Sequence, residues 1–207
     1  MRNHFLRAAV GNVASGSSAT TFMPLGSSDM TYEIWAKPTN FLTTPFNLYR
    51  KTSSNTTRDS FYFLLEIPFI SGIVVFSPEP NSGGNNAFVT GVNTFVVNSW
   101  QHFVFTHDTS LGQVKVYNNN SLVKTNTDTT NWSSYPNNNS DTYFLTVGSG
   151  NDFGYTGNIS IVRIYKDKAL TASEVTQNYN AEKGRYTTSS SSGTHVTSNL
   201  VFHIDAG

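Results

Sequence analysis

Cysteine is absent from this chain of 207 residues, which excludes a disulfide framework, a thiolate metal site and a cysteine nucleophile together. Charge is scarce and balanced: 13 Lys+Arg face 13 Asp+Glu, and charged residues make up only 13% of the chain, about half the usual fraction. With no basic run, the electrostatic footprint that nucleic acid or an anionic membrane requires is missing. No apolar run approaches the roughly 18 residues that cross a bilayer. The opening MRNHFLRAAVGNVASG is broken by Arg7 and Gly11 too early for a signal h-region. A soluble chain without a secretory signal of its own is expected.

Motifs of catalysis are also missing. Glycoside hydrolysis needs two carboxylates about 5–10 Å apart, yet the chain has no E-x-D-x-x-E string, and Glu33 and Glu66 lie on separate expected strands. The five histidines form no H-x-H or H-x-x-x-H pair, so a zinc site is not expected. His102 and His107 are separated by an odd number of positions, which puts them on opposite faces of a continuous strand. No G-x-S-x-G elbow accompanies the serines. No enzyme is expected.

Neutral polarity and aromatic rings are abundant. Thr (26), Ser (25) and Asn (23) supply more than a third of the chain, beside 15 Phe, 10 Tyr and 3 Trp. The five N-x-S/T sequons, at Asn55, Asn119, Asn131, Asn138 and Asn158, are about what this composition gives by chance, so they predict no glycans.

Short β-like runs separated by turn-rich segments point to a sandwich or barrel. They are Met30–Lys37, Phe61–Ile67, Gly72–Phe76, Trp100–Thr106, Gln113–Tyr117, Ser121–Thr125, Phe144–Gly148 and Asn158–Tyr165. Asn118, Asn119 and Asn120 predict a three-residue hairpin loop, because Asn tolerates the left-handed conformation. One helix is expected after Thr171. That residue can cap, Glu174 completes a capping box, and Leu170 with Val175 has the spacing of a hydrophobic staple. Gly184 would end the helix after Lys183, and Val175 with Tyr179 gives it a narrow apolar stripe. Small polar residues from Tyr186 to Asn199 then read as a linker. Beyond it, Leu200, Phe202 and Ile204 alternate as a terminal strand that needs a pairing partner.

Four segments in order, Met30–Pro38, Asn98–Asp108 with Gly112–Tyr117, Phe144–Gly157 and Asn158–Tyr179, resemble the laminin-G-like, concanavalin-type jelly-roll family, in the repeat form met in phage, viral and bacterial surface proteins. Trp100, His102 and Thr106 match its W-x-H-x-x-x-T pattern. The closing R-I-Y triplet, A-L-T and the short helix ending in a tyrosine match its end. The resemblance implies an all-β, antiparallel jelly-roll sandwich over 30–186 with one short C-terminal surface helix. In that frame Trp100 would fill the gap between the sheets, and His102 would be a structural hydrogen-bonding residue. Residues 1–29 would be an arm or edge strand and 187–199 the linker. Residues 200–207 resemble an opening strand of the family, displaced to the end of the chain. This strand could fill the vacant place in its own domain, fill it in a neighbouring copy, which would make it an assembly device, or be a remnant of a lost second repeat.

Two ligand chemistries follow as expectations. Trp132 and Tyr135, amid Asn and Asp, and Tyr155 in the closing loop supply aromatic platforms with amide and hydroxyl neighbours suited to sugars. Asn151 and Asp152 are hard oxygen donors for calcium, the alternative being that they stabilise a turn; no other cofactor is expected. The expected role is a non-enzymatic structural, decoration or fibre-associated protein at the surface of a phage or other virus particle. It would be assembled in the host cytoplasm and contact other virion proteins, copies of itself, or glycans through rim loops. The alternative is a carbohydrate-binding module or adhesin at a bacterial cell surface. Neither nucleic acid nor membrane insertion is expected.

Overall fold

The computed structural model describes residues 28–40, 94–127, 156–187 and 193–205, with the strand backbones at 6–10, 43–51, 58–66, 72–76, 88–89 and 142–147. The described residues form two antiparallel sheets of six strands each. In spatial order the first contains β1 (Leu6–Val10), β10 (Thr142–Val147), β3 (Thr43–Lys51), β4 (Arg58–Glu66), β5 (Gly72–Phe76) and β6 (Phe88–Val89). The second contains β12 (Leu200–Asp205), β11 (Gly157–Lys166), β2 (Met30–Pro38), β7 (Gln101–Asp108), β8 (Gln113–Asn118) and β9 (Ser121–Asn126). The chain crosses repeatedly between them, as a jelly-roll sandwich requires. Among the described residues no helix is long and apolar enough to cross a membrane.

Side chains on the second sheet sort by pairing register. Tyr32 and Ile34 share one face with Phe103, Phe105, Val114, Val116, Val162 and Ile164, all buried. Thr31, Glu33 and Trp35 share the other face with His102, Val104, Tyr117, Ile161, Arg163 and Tyr165, and these are buried too. A strand buried on both faces loses the simple alternation of a half-exposed one. The cover on this second face is helix α1 (Ala172–Glu182) with the returning segment 193–199.

The helix begins as its sequence predicts. The Thr171 side chain accepts from the Glu174 amide at 3.3 Å, and the Glu174 carboxylate accepts from the Thr171 amide at 2.9 Å. Val175 and Leu170 pack into one cluster with Val104, Tyr117, Tyr165 and Val196. The helix ends one residue earlier than expected, and Lys183–Arg185 continue as a 3-10 turn.

Other sequence expectations need correction. The hairpin between β8 and β9 has a two-residue loop: Asn118 pairs with Ser121, and Asn119 and Asn120 both take positive φ, 48° and 66°. Two consecutive left-handed residues match the right-handed twist of the flanking strands. Trp100 does not fill the gap between the sheets. It lies just before β7, partly buried against the Tyr186 ring at 4.8 Å, and the fully buried tryptophan is Trp35. Strands β3 and β6 also exceed the expected set.

Within the segment read as a linker, residues 193–199 pack on the sandwich. Val196 is buried, its amide donates to Asn178 Oδ1 at 2.6 Å, and its carbonyl accepts from the Tyr165 hydroxyl at 3.0 Å. Asn199 takes φ 60° and exchanges two bonds with the Lys166 backbone. The chain then enters β12, which pairs antiparallel with β11 of the same chain, Phe202 opposite Ile164 and Ile204 opposite Val162. At the far end of the chain, β1 forms an edge of the first sheet beside β10.

Candidate functional site

Two regions gather chemically capable residues, one under the helix and one on the first sheet. Under the helix, Glu33 is fully buried and accepts from Arg163 Nη1 at 2.8 Å and Asn178 Nδ2 at 2.6 Å, with His102 Nε2 at 2.9 Å. The Tyr165 hydroxyl stands 3.4 Å from its second oxygen. Arg163 reaches Glu182 through its other terminal nitrogen at 2.5 Å. Burial alone would raise the Glu33 carboxyl, but the His102 hydrogen bond, the Arg163 cation and the Asn178 amide overcome it and lower it to about 2. The group is therefore an anion held by partners on two neighbouring strands and the helix.

This hub is a fastening device. Neither Glu33 nor Arg163 has side-chain surface open to solvent, and both carboxylate oxygens are occupied, so no substrate can approach them. Around it, the Trp35 ring stacks with His102 at 5.0 Å, Tyr179 at 5.6 Å and Tyr186 at 4.4 Å. Trp35 Nε1, His102 Nδ1 and Arg163 Nε lack hydrogen-bond partners among the described residues. Asn178 escaped the reading of the helix, because an amide interrupts its apolar stripe. Its spacing of three from Val175 was the available signal.

At its outer end, β12 is tied down by charge. Arg185 forms a two-pronged bond with Asp205, at 2.6 and 2.7 Å. Beside it the His195 and His203 rings meet edge to face at 5.0 Å. Burial first, and then the Arg163 cation, lower both imidazoles below their ordinary value. Among the described residues no group of three His, Asp or Glu could hold a metal.

The first sheet presents a different surface. Its registered strands divide into two sets of positions, one per face. One set carries Phe46, Leu48, Phe61, Phe63, Leu145 and Val147, the composition that a sandwich turns inward. The other set mixes rings and aliphatic residues with polar and charged ones. One of its cross-strand rows reads Phe144, Tyr49, Ser60 across β10, β3 and β4. The next reads Arg7, Thr146, Asn47, Tyr62, Phe76 across β1, β10, β3, β4 and β5. Neighbouring strands lie about 4.8 Å apart, so five strands span roughly 19 Å. That width suits several saccharide rings.

Trp132, Tyr135, Asn151, Asp152 and Tyr155, the residues expected to bind sugar or calcium, lie outside the described residues. The chain enters β10 directly after the first pair's segment and leaves β10 into the segment of the other three.

The family follows from the matched sequence as well as from the fold. The profile of the laminin-G family described as the concanavalin A-like lectin/glucanases superfamily matches residues 11–176, and the chain belongs to it. Among solved structures, the CBM40 domain of a Ruminococcus gnavus sialidase bound to α2,3-sialyllactose superposes with a TM-score of 0.59 at 15% identity, over 76% of this chain and 84% of that one. The K499G variant of NanB sialidase from Streptococcus pneumoniae gives 0.57 at 19% identity, over 82% of this chain but only 26% of that enzyme. A putative carbohydrate-binding protein from Bacteroides ovatus gives 0.52 at 16% identity, over 86% of this chain and 45% of that one. At these identities the likeness is one of fold. No curated protein matches the chain.

Proposed function

We propose that the chain is a carbohydrate-binding module of a surface protein, gripping its glycan on the mixed face of the first sheet. One observation carries the reading: pairing register aligns Tyr49, Tyr62, Phe76 and Phe144 with Asn47, Ser60 and Thr146 in two adjacent rows of the same face. Sugar rings have one apolar C–H face and a rim of hydroxyls. An aromatic ring covers the first, and amides and hydroxyls read the second. Stacking on fixed strands orders little that was mobile, so it keeps the entropic cost of binding low.

The neighbours support this class, since they include carbohydrate-binding domains of bacterial proteins. The reading as a decoration of a virus particle gains no support from them, so the bacterial-surface alternative is preferred. Trp132, Tyr135 and Tyr155 are kept as further candidate sugar contacts, and Asn151 and Asp152 as a candidate calcium site. No catalytic role is assigned. Screening the purified chain on an array of glycans tests the reading: selective binding that Tyr49→Ala and Tyr62→Ala each weaken by tenfold or so, about 1.4 kcal/mol, supports it. Binding unchanged in both variants moves the site elsewhere, and no binding to any glycan ends the reading.

A further inference from the structure

We infer that this face selects acidic saccharides, and that Lys51 and Arg58 are the residues that read the anionic group; the inference rests on the glycan-binding role proposed above. In the strand pair β3 and β4, Arg50 is registered opposite Asp59 on one face, a matched pair of charges. One position further along, on the other face, Lys51 is registered opposite Arg58. Like charges directly opposite in a sheet repel. The third member of that row, Thr142 on β10, is neutral.

The mismatch is conspicuous because charge is rare in this chain. Only 13 Lys and Arg occur in 207 residues, yet Lys51, Arg58 and Arg7 share the mixed face of one sheet. The strand residue of opposite sign on that face is Glu66, at the other end of β4 and opposite Gly72. The face is therefore polarised along its strands, cationic where the row of Tyr49 and Phe144 gives way to Lys51 and Arg58. The Lys51 row lies two residues from the Tyr49 row, or roughly 7 Å. A ring stacked in the Tyr49 row would thus bring a substituent of its own, or of the next sugar, to the two cations. An anion there relieves their repulsion and gains charge-assisted hydrogen bonds, the Arg58 fork donating to the oxygens of a planar carboxylate or a sulfate.

Carboxylate and sulfate share this chemistry, so the test separates them. The full chain, Lys51→Gln, and Lys51→Gln/Arg58→Gln are titrated with three oligosaccharides of one core, neutral, carboxylated and sulfated, at low and high sodium chloride. The expected result is that at least one acidic form binds about ten- to hundredfold tighter than the neutral form. That preference should weaken with salt and collapse in the double variant, while the neutral affinity stays the same. Whichever acid wins identifies the group that is read. Equal affinity for all three forms, or a preference that survives the double variant in a protein melting like the parent, overturns the inference and leaves the glycan-binding role standing. Failure of all three on every variant, together with a blank array, removes that role and the inference with it.

Discussion

Replacing Glu33 by Gln tests how the second sheet, the helix and the returning segment are held together. The substitution keeps size and shape but removes one charge and turns one acceptor atom into a donor. Arg163, with no solvent-exposed side-chain surface, keeps Glu182 and loses its 2.8 Å bond to Glu33. The new amide nitrogen would face either His102 Nε2 and Arg163 Nη1 or Asn178 Nδ2 and the Tyr165 hydroxyl, groups arranged around an acceptor. Breaking a buried ion pair from one side costs about 3–5 kcal/mol. For a chain of this size each kcal/mol moves the melting temperature by about 2–4 °C, so Glu33→Gln should melt roughly 6–20 °C below the parent. Differential scanning calorimetry at pH 7 measures this directly. Arg163→Met in the Glu33→Gln background should recover part of the loss, because the uncompensated cation is gone. A shift under about 2 °C would refute the buried-hub account, as would a double variant less stable than the sum of its singles.

Acid should unfold the protein in two steps. The lowered imidazoles of His195 and His203 take up protons less readily when folded, so stability falls as pH drops below their ordinary value near 6.5. Glu33, lowered to about 2, adds stability that is complete above its unfolded value near 4.5 and is lost between there and about 2. Urea melts from pH 8 to 3 should show both declines, and His195→Gln/His203→Gln should shrink the first, leaving the share of His107, which burial also lowers. Deleting residues 200–207 should lower the melting temperature by several degrees, read by scanning fluorimetry, because it uncovers β11 and removes the Arg185 to Asp205 bonds. An unchanged melting temperature would show that β12 adds nothing to its own domain. Calcium against chelator in the same assay tests Asn151 and Asp152: a rise of about 3 °C or more that Asp152→Ala abolishes is expected, and identical curves would dismiss the site.

The strands that sequence reveals are those with strong local signals. Gly72–Phe76 was bounded correctly by its neighbours, and the helix start was legible because Thr171 and Glu174 write both halves of a capping box. Strand β3 was hidden because Pro45 lies near its start and Arg50 interrupts the apolar set of Phe46 and Leu48. Segment 193–199 was misread for a physical reason: its anchoring uses backbone groups of Val196, and composition reports side chains. By alternation alone, Glu33 falls among the outward positions of its strand. The contrary signal was Trp35, a large ring in the same set of positions, which required that face to be covered. On the first sheet, local composition drew attention to Trp132 and Tyr135. Tyr49, Tyr62 and Phe144 come to one face only through pairing register between strands up to about a hundred residues apart, which one sequence does not carry.

The glycan-binding claim is tested most directly by titration calorimetry of the best array glycan into the parent chain and into Tyr49→Ala/Tyr62→Ala, with melting temperatures taken in parallel. The account predicts saturable binding by the parent, and at least a hundredfold loss, about 2.7 kcal/mol, in a double variant that still melts cooperatively. Full affinity retained in that folded double variant would contradict it.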